Sequence, residues 1–314
     1  MKIISISRMG GGLNNQKMML LGLLITAIES NAAIQIPPLI NYVTNKKDNI
    51  FKKYIYGKLI YPLFHRYIPF FDMFDHASFI YFTNKYNIII SKEKADIEYK
   101  NEEMFKKGSN IIDEYVNNEN YNYNSLISDF FKFLIPSKYM KEKIDFFIDQ
   151  SQPIDAVCQL RIEDDWPLDV NASWQEKQGS TKLPSQLTRS MVIFEKIYNT
   201  LPSLKYIYVA YDKNGLKIPF TSISDTVDEK FGFKLKTKHP SMLKRSNPKN
   251  ALEASIIDFE ISVSVDIYIG TEMSSFTLLS NITKENRDGH PLQQRYHYNT
   301  KRDYLTIYAN KTYQ

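Results

Sequence analysis

A short apolar strand of this chain ends in a cluster of charged side chains. The strand is predicted over Ile154 to Leu160, and Arg161, Glu163 and Asp164 follow it directly. In open α/β sheets ligands bind at the carboxyl ends of the strands, and the guanidinium fork of arginine matches the paired oxygens of a phosphate or a carboxylate. Arg161 is therefore a candidate ligand for an anionic substrate. The alternative is a structural ion pair between Arg161 and a neighbouring acid.

A glycine turn between a strand and a helix is the second candidate site. A predicted strand precedes Gly11 and Gly12, and Asn14 and Asn15 open an apolar helical run. Glycines let the backbone approach a ligand closely, and a helix N-terminus offers unpaired N–H groups to an anion or a sugar hydroxyl. The loop does not match the dinucleotide fingerprint, because Asn15 stands where the third glycine would be. A tight connection whose asparagines cap the helix is the alternative interpretation.

Two further strand ends carry polar residues. The predicted strand Tyr206 to Ala210 ends at Asp212, and the predicted strand Asp266 to Ile269 runs into a Ser-Ser-Phe turn at residues 274–276. We expect these polar groups to share one cleft with Arg161, because the carboxyl ends of parallel strands lie at the same edge of a sheet. The serines could instead cap the following helix without any ligand.

The elements that must position these groups alternate along the chain. Predicted strands cover residues 2–7, 33–36, 154–160, 206–210 and 266–269, and predicted helices cover 17–30, 125–148, 185–199 and 251–263. Strands that alternate with helices indicate right-handed crossovers and a parallel sheet. At 314 residues the chain exceeds one ordinary core, so we expect two Rossmann-like domains of roughly 150 residues each, at 1–150 and 151–314.

Composition narrows the function classes. The net charge of +5 comes from 40 basic and 35 acidic residues, a balance that does not indicate nucleic-acid binding and suits an anionic small ligand. The single cysteine, Cys158, excludes an internal disulfide and indicates a reducing compartment. The N-terminal sequence lacks the pattern of an export signal. We therefore expect a cytoplasmic protein.

The stretch from Lys52 to Lys58 interleaves aromatic residues with lysines. Such a stretch can contact a membrane surface, but it is more often a surface element whose lysines extend their charged ends into water. We take the second interpretation as the expectation and keep the first as the alternative.

The sequence lacks the common motifs of metal sites and of hydrolase active sites. There is no Asp-x-Asp triplet, no His-Glu-x-x-His motif and no cysteine cluster, and the five histidines are scattered. No Gly-x-Ser-x-Gly motif is present either. What remains is an anion site of arginine, helix N-termini and hydroxyls, without metal or cofactor. Such a site suits a diphosphate leaving group.

Three separated segments carry a family resemblance: Gly-Gly-Leu-Asn-Asn-Gln at 11–16, Leu-Arg at 160–161 with Asp-Trp at 165–166, and Asp-Ile-Tyr-Ile-Gly at 266–270 followed by Ser-Ser-Phe. In this order they resemble the motifs of the GDP-fucose protein O-fucosyltransferases and related fucosyltransferases. Ala-Tyr-Asp at 210–212 stands where that family has Ala-Thr-Asp. The resemblance implies an α/β fold of the GT-B type, with two Rossmann-like domains facing a central cleft. The N-terminal domain is expected on the acceptor side and the C-terminal domain on the GDP-sugar donor side.

The resemblance also implies a function. It is that of a metal-independent, inverting transferase that moves fucose from GDP-fucose to a hydroxyl of a glycan or protein acceptor. Arg161 would grip the β-phosphate, Asp258 would pair with guanine, and Asn15 would lie by the diphosphate and the acceptor. The implied catalytic residues are Arg161 and Asn15. Glu163 and Asp164 are general-base candidates because they follow Arg161 in the sequence. The implied donor-binding residues are Gly11, Gly12, Asn14, Gln159, Arg161, Asp212, Asp258, Ser274, Ser275 and Phe276.

Two positions depart from the family pattern. Gln159 replaces the histidine that precedes Leu-Arg, and Gly12 replaces the arginine of the first loop, with Arg8 four residues upstream. A catalytically inactive module that binds a nucleotide sugar or a glycan is therefore the alternative function. A transferase of the same fold that uses another nucleotide sugar is a further alternative.

Overall fold

Two parallel β-sheets form the framework of the protein. The structure is a computed structural model that describes residues 1–41, 67–163, 184–213, 215–238, 246–272, 274–289 and 294–308. The strands of the N-terminal half are β1 Ile3–Ile6, β2 Ala33–Ile34, β3 Leu39–Ile40, β4 Tyr67–Ile68 and β5 Ile97–Tyr99. Strand β1 lies between β2 and β5 and is parallel to both, whereas β3 and β4 form a separate antiparallel pair. All four β1 residues are buried, as expected for a parallel strand covered on both faces.

Helices make up most of the other described residues of this half. They are α1 Leu13–Ser30, α2 Phe70–Met73, α3 His76–Lys85, α4 Asn101–Asn117, α5 Asn124–Phe133 and α6 Lys138–Ser151. Helix α1 confirms the predicted helix but begins four residues earlier, at Leu13. It packs along α4 so closely that a Cβ atom at Gly108 would clash with the Met18 carbonyl oxygen. The single helix predicted over 125–148 is wrong. The chain forms two helices there, because Pro136 lacks the N–H that a continuous helix needs.

The second sheet confirms the predicted alternation of strands and helices. Its strands are β6 Ala156–Gln159, β7 Tyr206–Ala210, β8 Lys234–Lys236, β9 Ile267–Gly270, β10 Arg295–His297 and β11 Thr306–Ile307. The accompanying helices are α7 Gln186–Thr200, α8 Phe220–Phe231, α9 Ala251–Ser264 and α10 Ser275–Asp288. The strand order is β11-β10-β9-β6-β7-β8, and only the edge strand β11 is antiparallel. Strand β6 is central, so its carboxyl end opens between those of β7 and β9.

Helices from the two halves pack against each other. Helix α9 packs on α6, and α10 packs on α5 and α1. One apolar cluster accordingly extends from β1 through these helices to Val157, Tyr208 and Tyr268 on one face of the second sheet. In the sequence, the strands of the first sheet lie before residue 150 and those of the second sheet lie after residue 151. The apolar core is continuous between the two halves, so the division into domains 1–150 and 151–314 stays a prediction.

Two findings concern membranes. No helix within the described ranges is long and apolar enough to cross a bilayer. The stretch Lys52 to Lys58, for which contact with a membrane surface was the alternative interpretation, lies outside the described residues.

A buried ion pair joins the two halves beside α9. The Lys143 ammonium donates to the Glu253 carboxylate at 2.7 Å, and each side chain is only 3% exposed. Lys143 also donates to the carbonyl of Asn247 at 2.8 Å, and Glu253 also accepts from the Tyr139 hydroxyl at 3.1 Å. The pair therefore fixes the start of α9, with the loop before it, to α6.

We predict that Lys143→Met lowers the free energy of unfolding by about 3–5 kcal/mol, because it leaves the Glu253 carboxylate buried without its counter-charge. Lys107→Met is the matched control. Lys107 pairs with Glu29 in a bond whose side chains are 29% and 46% exposed, and its loss should cost less than about 1 kcal/mol. Urea unfolding of both variants measures the difference. Equal, small effects would contradict the assignment of Lys143 as an inter-half anchor.

Candidate active site

A cleft of about 2010 Å³ lies at the carboxyl ends of β6 and β7 and at the N-terminal ends of α1 and α10. Both halves of the chain line it. The predicted site residues on its walls are Gly12, Asn14, Asn15, Gln159, Arg161, Glu163, Asp212, Asp258, Ser274, Ser275 and Phe276. Gly11 is one residue away from the lining, and Asp164 lies outside the described residues. Arg161, Asp212 and the Ser-Ser-Phe turn thus line one cleft, as we expected from their positions after parallel strands.

The amide of Gln159 holds the first turn of α10. Its Nε2 donates to the Ser274 hydroxyl at 3.1 Å, while its Oε1 accepts from Thr277 Oγ1 at 2.8 Å and from the Tyr268 hydroxyl at 3.3 Å. Ser274 is the N-cap of α10 and accepts from the Phe276 N–H at 3.2 Å. The capping role that we weighed for these serines is therefore present at Ser274. It also aims the start of α10 at the cleft, beside the end of β6.

The glycine loop presents the first turn of α1 to the same cleft. Gly11 has a φ of 70°, a left-handed conformation that favours glycine, and Gly12 is the N-cap. No side chain of the described residues caps this helix, so the interpretation of the asparagines as caps is wrong. Instead, Asn15 Oδ1 accepts from the Ser275 hydroxyl at 3.1 Å, which joins the first turns of the two helices across the cleft. The buried Asn14 Oδ1 has no partner among the described residues.

Arg161 lies between the cleft and an acidic neighbour. Its backbone N–H donates to the Tyr298 hydroxyl at 3.1 Å, and that hydroxyl donates to the Gln159 carbonyl at 3.0 Å, so the turn after β6 is fixed. Its Nε donates to Glu163 Oε2 at 3.1 Å, and 29% of the side chain remains exposed. The ion pair that we weighed as the structural alternative is present, with Glu163 as the acid. The Glu163 carboxylate, a general-base candidate, is consequently held by Arg161.

Asp258 lies on the cleft wall with its carboxylate already bonded within the chain. The Tyr208 hydroxyl donates to its Oδ1 at 2.8 Å, and the Lys238 ammonium donates to its Oδ2. Burial raises the pKa of the Asp258 carboxyl, and the charge and hydrogen bond of Lys238 oppose that rise. Lys238 also lines the cleft, although sequence reasoning did not single it out. A ligand that reaches Asp258 therefore meets an ammonium and a carboxylate side by side.

Lys17 is a second residue that the sequence patterns did not reveal. It lies in the second turn of α1, buried, with its Nζ 3.3 Å from the centroid of the Phe259 ring. That ring packs edge-on against Phe276 of the cleft wall, with 5.6 Å between ring centroids. Burial lowers the pKa of Lys17 to about 7, against the attraction of Glu260. The sequence did not reveal this lysine, because it lies within the apolar run of α1 and a charged residue among core positions has no local sequence signature.

We predict that Lys17 makes the fold less stable as the pH falls from about 10.5 to about 7. In this range the unfolded chain binds a proton at Lys17 that the folded chain does not, and below about pH 7 both states carry it. Lys17→Met removes this effect. Urea unfolding at a series of pH values should give a difference in unfolding free energy between the variant and the unaltered protein. As the pH falls through this range, that difference should grow by roughly 5 kcal/mol, and it should be constant below about pH 7. A difference independent of pH would contradict the burial of a neutral lysine.

Metal-binding side chains are not grouped in the described part of the chain. Within it, no cluster of three or more His, Cys, Asp or Glu side chains is placed to hold a metal ion. The polar groups that line the cleft include an arginine, lysines, carboxylates, amides and the hydroxyls at the start of α10.

Comparison with solved structures identifies the fold. POFUT1 in complex with GDP-fucose superposes with a TM-score of 0.53 at 12% sequence identity, over 96% of this chain and 98% of that one. The NodZ α-1,6-fucosyltransferase co-crystallized with GDP superposes with a TM-score of 0.51 at 10% identity, over 98% of both chains. The chain has a GDP-fucose fucosyltransferase-like fold. This confirms the predicted α/β, GT-B-like fold class, which rests on structure alone: no protein-family profile and no curated protein sequence matches the chain.

Within this fucosyltransferase-like fold, the three segments that carried the resemblance occupy adjacent places. The glycine loop lies at the start of α1, Arg161 lies after β6, and the Ser-Ser-Phe turn starts α10. Gln159, which precedes Leu160 and Arg161, bonds to Ser274 of the Ser-Ser-Phe turn.

Proposed function

We propose that the protein transfers fucose from GDP-fucose to a hydroxyl of a glycan or protein acceptor, with inversion at the anomeric carbon and without a metal ion. The observation that carries this proposal is the convergence of Arg161 with the first turns of α1 and α10 on one cleft. The fold supports it, since POFUT1 and NodZ, which share the fold, were crystallised with GDP-fucose and GDP.

The arrangement suits the departure of a nucleoside diphosphate. As the bond from the sugar to the β-phosphate breaks, negative charge grows on the diphosphate and the sugar becomes oxocarbenium-like. The Arg161 guanidinium and the N–H groups at the two helix starts are donors fixed in place before the reaction, and helix N-termini favour negative charge. These groups would replace the metal ion that other transferases place on the diphosphate.

Lys238 and Asp258 form a pair that matches one edge of guanine. The ammonium is a donor and the carboxylate is an acceptor, and guanine presents a carbonyl oxygen beside a ring N–H. Hypoxanthine and uracil share that edge, whereas adenine and cytosine present an amino group beside an unprotonated nitrogen. Guanine adds an exocyclic amino group that can also donate a hydrogen bond to a carboxylate. In this proposal Asp258 therefore reads guanine together with Lys238 rather than alone.

We predict that GDP, GDP-fucose and inosine diphosphate raise the melting temperature, while ADP and CDP do not. A nucleotide at ~100 times its dissociation constant should stabilise the fold by about 2.7 kcal/mol. Lys238→Met should weaken GDP binding about tenfold or more, because it removes a charged donor. Lys238→Arg should retain most of it. The control is Lys234→Met, which alters an exposed lysine at the start of β8, the strand that ends two residues before Lys238. Calorimetric titration measures each affinity.

The nucleotide preference also separates the donors. A clear preference for UDP over GDP would contradict GDP-fucose as the donor and support a transferase of this fold that uses another nucleotide sugar. Equal binding of ADP and GDP would remove the role given to Lys238 and Asp258.

We predict that Arg161→Ala lowers turnover by at least about 10²–10³-fold while the protein stays folded, as is typical when one preorganised donor to a developing charge is lost. Arg161→Lys should recover little, since a point charge cannot reproduce the fork of donors. Turnover is measured as GDP release from GDP-fucose, and folding as the melting temperature of the same preparation. Arg302→Ala, which alters an exposed arginine bonded to Tyr304, is the control.

A purely structural role of Arg161 predicts the opposite pattern. If its ion pair with Glu163 were its whole role, Arg161→Ala would lower the melting temperature and leave turnover per folded molecule nearly unchanged. That result would overturn the proposed mechanism.

A binding module without catalysis is the second candidate, and two contacts favour it. Gln159 stands where the family has a histidine, and its amide is bonded on both sides to α10 and β9. Glu163 is held by Arg161. Binding of GDP-fucose without any release of GDP would support this candidate.

A further inference from the structure

The N-terminal half contributes its own wall to the cleft, from β4 to the start of α3. Four aromatic side chains of this wall line the cleft, those of Tyr67, Phe71, Phe74 and His76. Two carboxylates stand among them, Asp72 and Asp75. Tyr67, Asp72 and His76 are exposed, and Phe71 is half-buried. We call this surface the aromatic wall. The donor-binding role proposed above uses none of its residues.

The ring of Phe71 is fixed from behind. It meets Phe70 edge-on at 5.2 Å between centroids and His76 edge-on at 4.5 Å. Phe70 is itself buried and packs against Phe74 at 4.9 Å and Phe79 at 5.0 Å. A ring anchored in this way loses little freedom when a ligand covers it, so contact with it yields more affinity than contact with a mobile side chain.

The carboxylates on the wall are constrained as well. Asp75 is the N-cap of α3 and accepts from the Ser78 N–H at 2.8 Å, which lowers the pKa of its carboxyl and keeps it ionised. Asp72 lies close enough to Lys249 to contribute to the raised pKa of that ammonium, whose chief cause is the hydrogen bond with Tyr139. A cationic ligand would compete with Lys249 for Asp72, and an anionic ligand would be repelled by both carboxylates. An uncharged ligand with hydroxyl groups meets neither obstacle.

The size of the cleft leaves room for such a ligand beside a nucleotide. Small-molecule sites commonly enclose about 300–1,000 Å³, and this cleft of about 2010 Å³ exceeds that range. A folded protein would need about 800 Å² of matching surface. The aromatic wall is one short segment of rings and carboxylates, and its size is closer to that of one or two sugar rings. The C–H faces of sugars pack on aromatic rings, and their hydroxyls donate to carboxylates.

We propose that the aromatic wall is the acceptor subsite and that it takes a neutral saccharide. This rests on the transferase function proposed above, in which the acceptor supplies a hydroxyl. Phe71 packs against the apolar face of the sugar ring, and Asp72 accepts from its hydroxyls. The basic groups at the strand ends hold the anionic donor, so the two substrates occupy walls of different charge.

The test is saturation-transfer NMR on the whole protein with GDP present, in which the aromatic protons of the protein are irradiated. The probes are lactose, cellobiose and maltose as neutral disaccharides, and hexalysine as a cationic peptide. We expect transfer to the ring protons of at least one disaccharide and none to hexalysine. Phe71→Leu, which keeps an apolar side chain in the core contact, should weaken that disaccharide about tenfold, and Phe71→Tyr should retain binding. Asp72→Asn should weaken it as well.

Tyr81→Ala is the matched control, because Tyr81 is an exposed tyrosine of α3 that packs on Phe133 away from the cleft. The melting temperature of each variant verifies its fold. Disaccharide binding that is unchanged in folded Phe71→Leu and Asp72→Asn, transfer to hexalysine only, or no transfer to any disaccharide would each overturn the proposal. GDP binding by the unaltered protein is measured separately, since its absence would contradict the transferase function and not the saccharide wall.

Discussion

The candidate site depends on one buried amide. Gln159 ends the central strand β6, and its side chain bonds to the N-cap of α10, to Thr277 in the same helix and to Tyr268 of β9. Its carbonyl accepts from Tyr298, which also fixes the backbone of Arg161. All these bonds are buried or partly buried, where a lost partner leaves an unsatisfied polar group. The position of Arg161 relative to the helix start therefore follows from how this amide is satisfied.

The two halves of the chain meet at the site through a few polar contacts set in an apolar interface. The bond from Ser275 to Asn15 joins the helix starts, and the pair of Lys143 and Glu253 fixes α9 to α6. Because the apolar core continues between the halves, these contacts select one relative arrangement from the many that packing alone would allow. Arg161 and the start of α10 from one half, and the start of α1 and the aromatic wall from the other, consequently face a single cleft.

The sequence predicted the parts of the site that depend on local order. Arg161, Asp212 and the Ser-Ser-Phe turn follow parallel strands, and such strand ends must share an edge. The partners of Gln159 could not be predicted, since Ser274 and Thr277 lie 115 and 118 residues further along the chain. The sequence alone therefore gave no role to this glutamine.

Lys238 and helix α4 were also not predicted, and they differ in whether the sequence carries a signal for them. Lys238 gave none, because nothing local couples a lysine to a carboxylate 20 residues away on another element. Helix α4 did have a signal: its buried residues Met104, Gly108, Ile111 and Ile112 follow helical spacing. That signal is diluted by the charged residues between them, and the region read as irregular.

The most direct test of the account is phosphorus NMR of GDP-fucose mixed with the unaltered protein in excess EDTA and without acceptor. The account predicts slow conversion of GDP-fucose to GDP, with water taking the place of the acceptor, because the arginine and the helix N-termini stabilise the leaving diphosphate without a metal. GDP-fucose that binds and stays intact, or that is cleaved only when magnesium or manganese is restored, would contradict it.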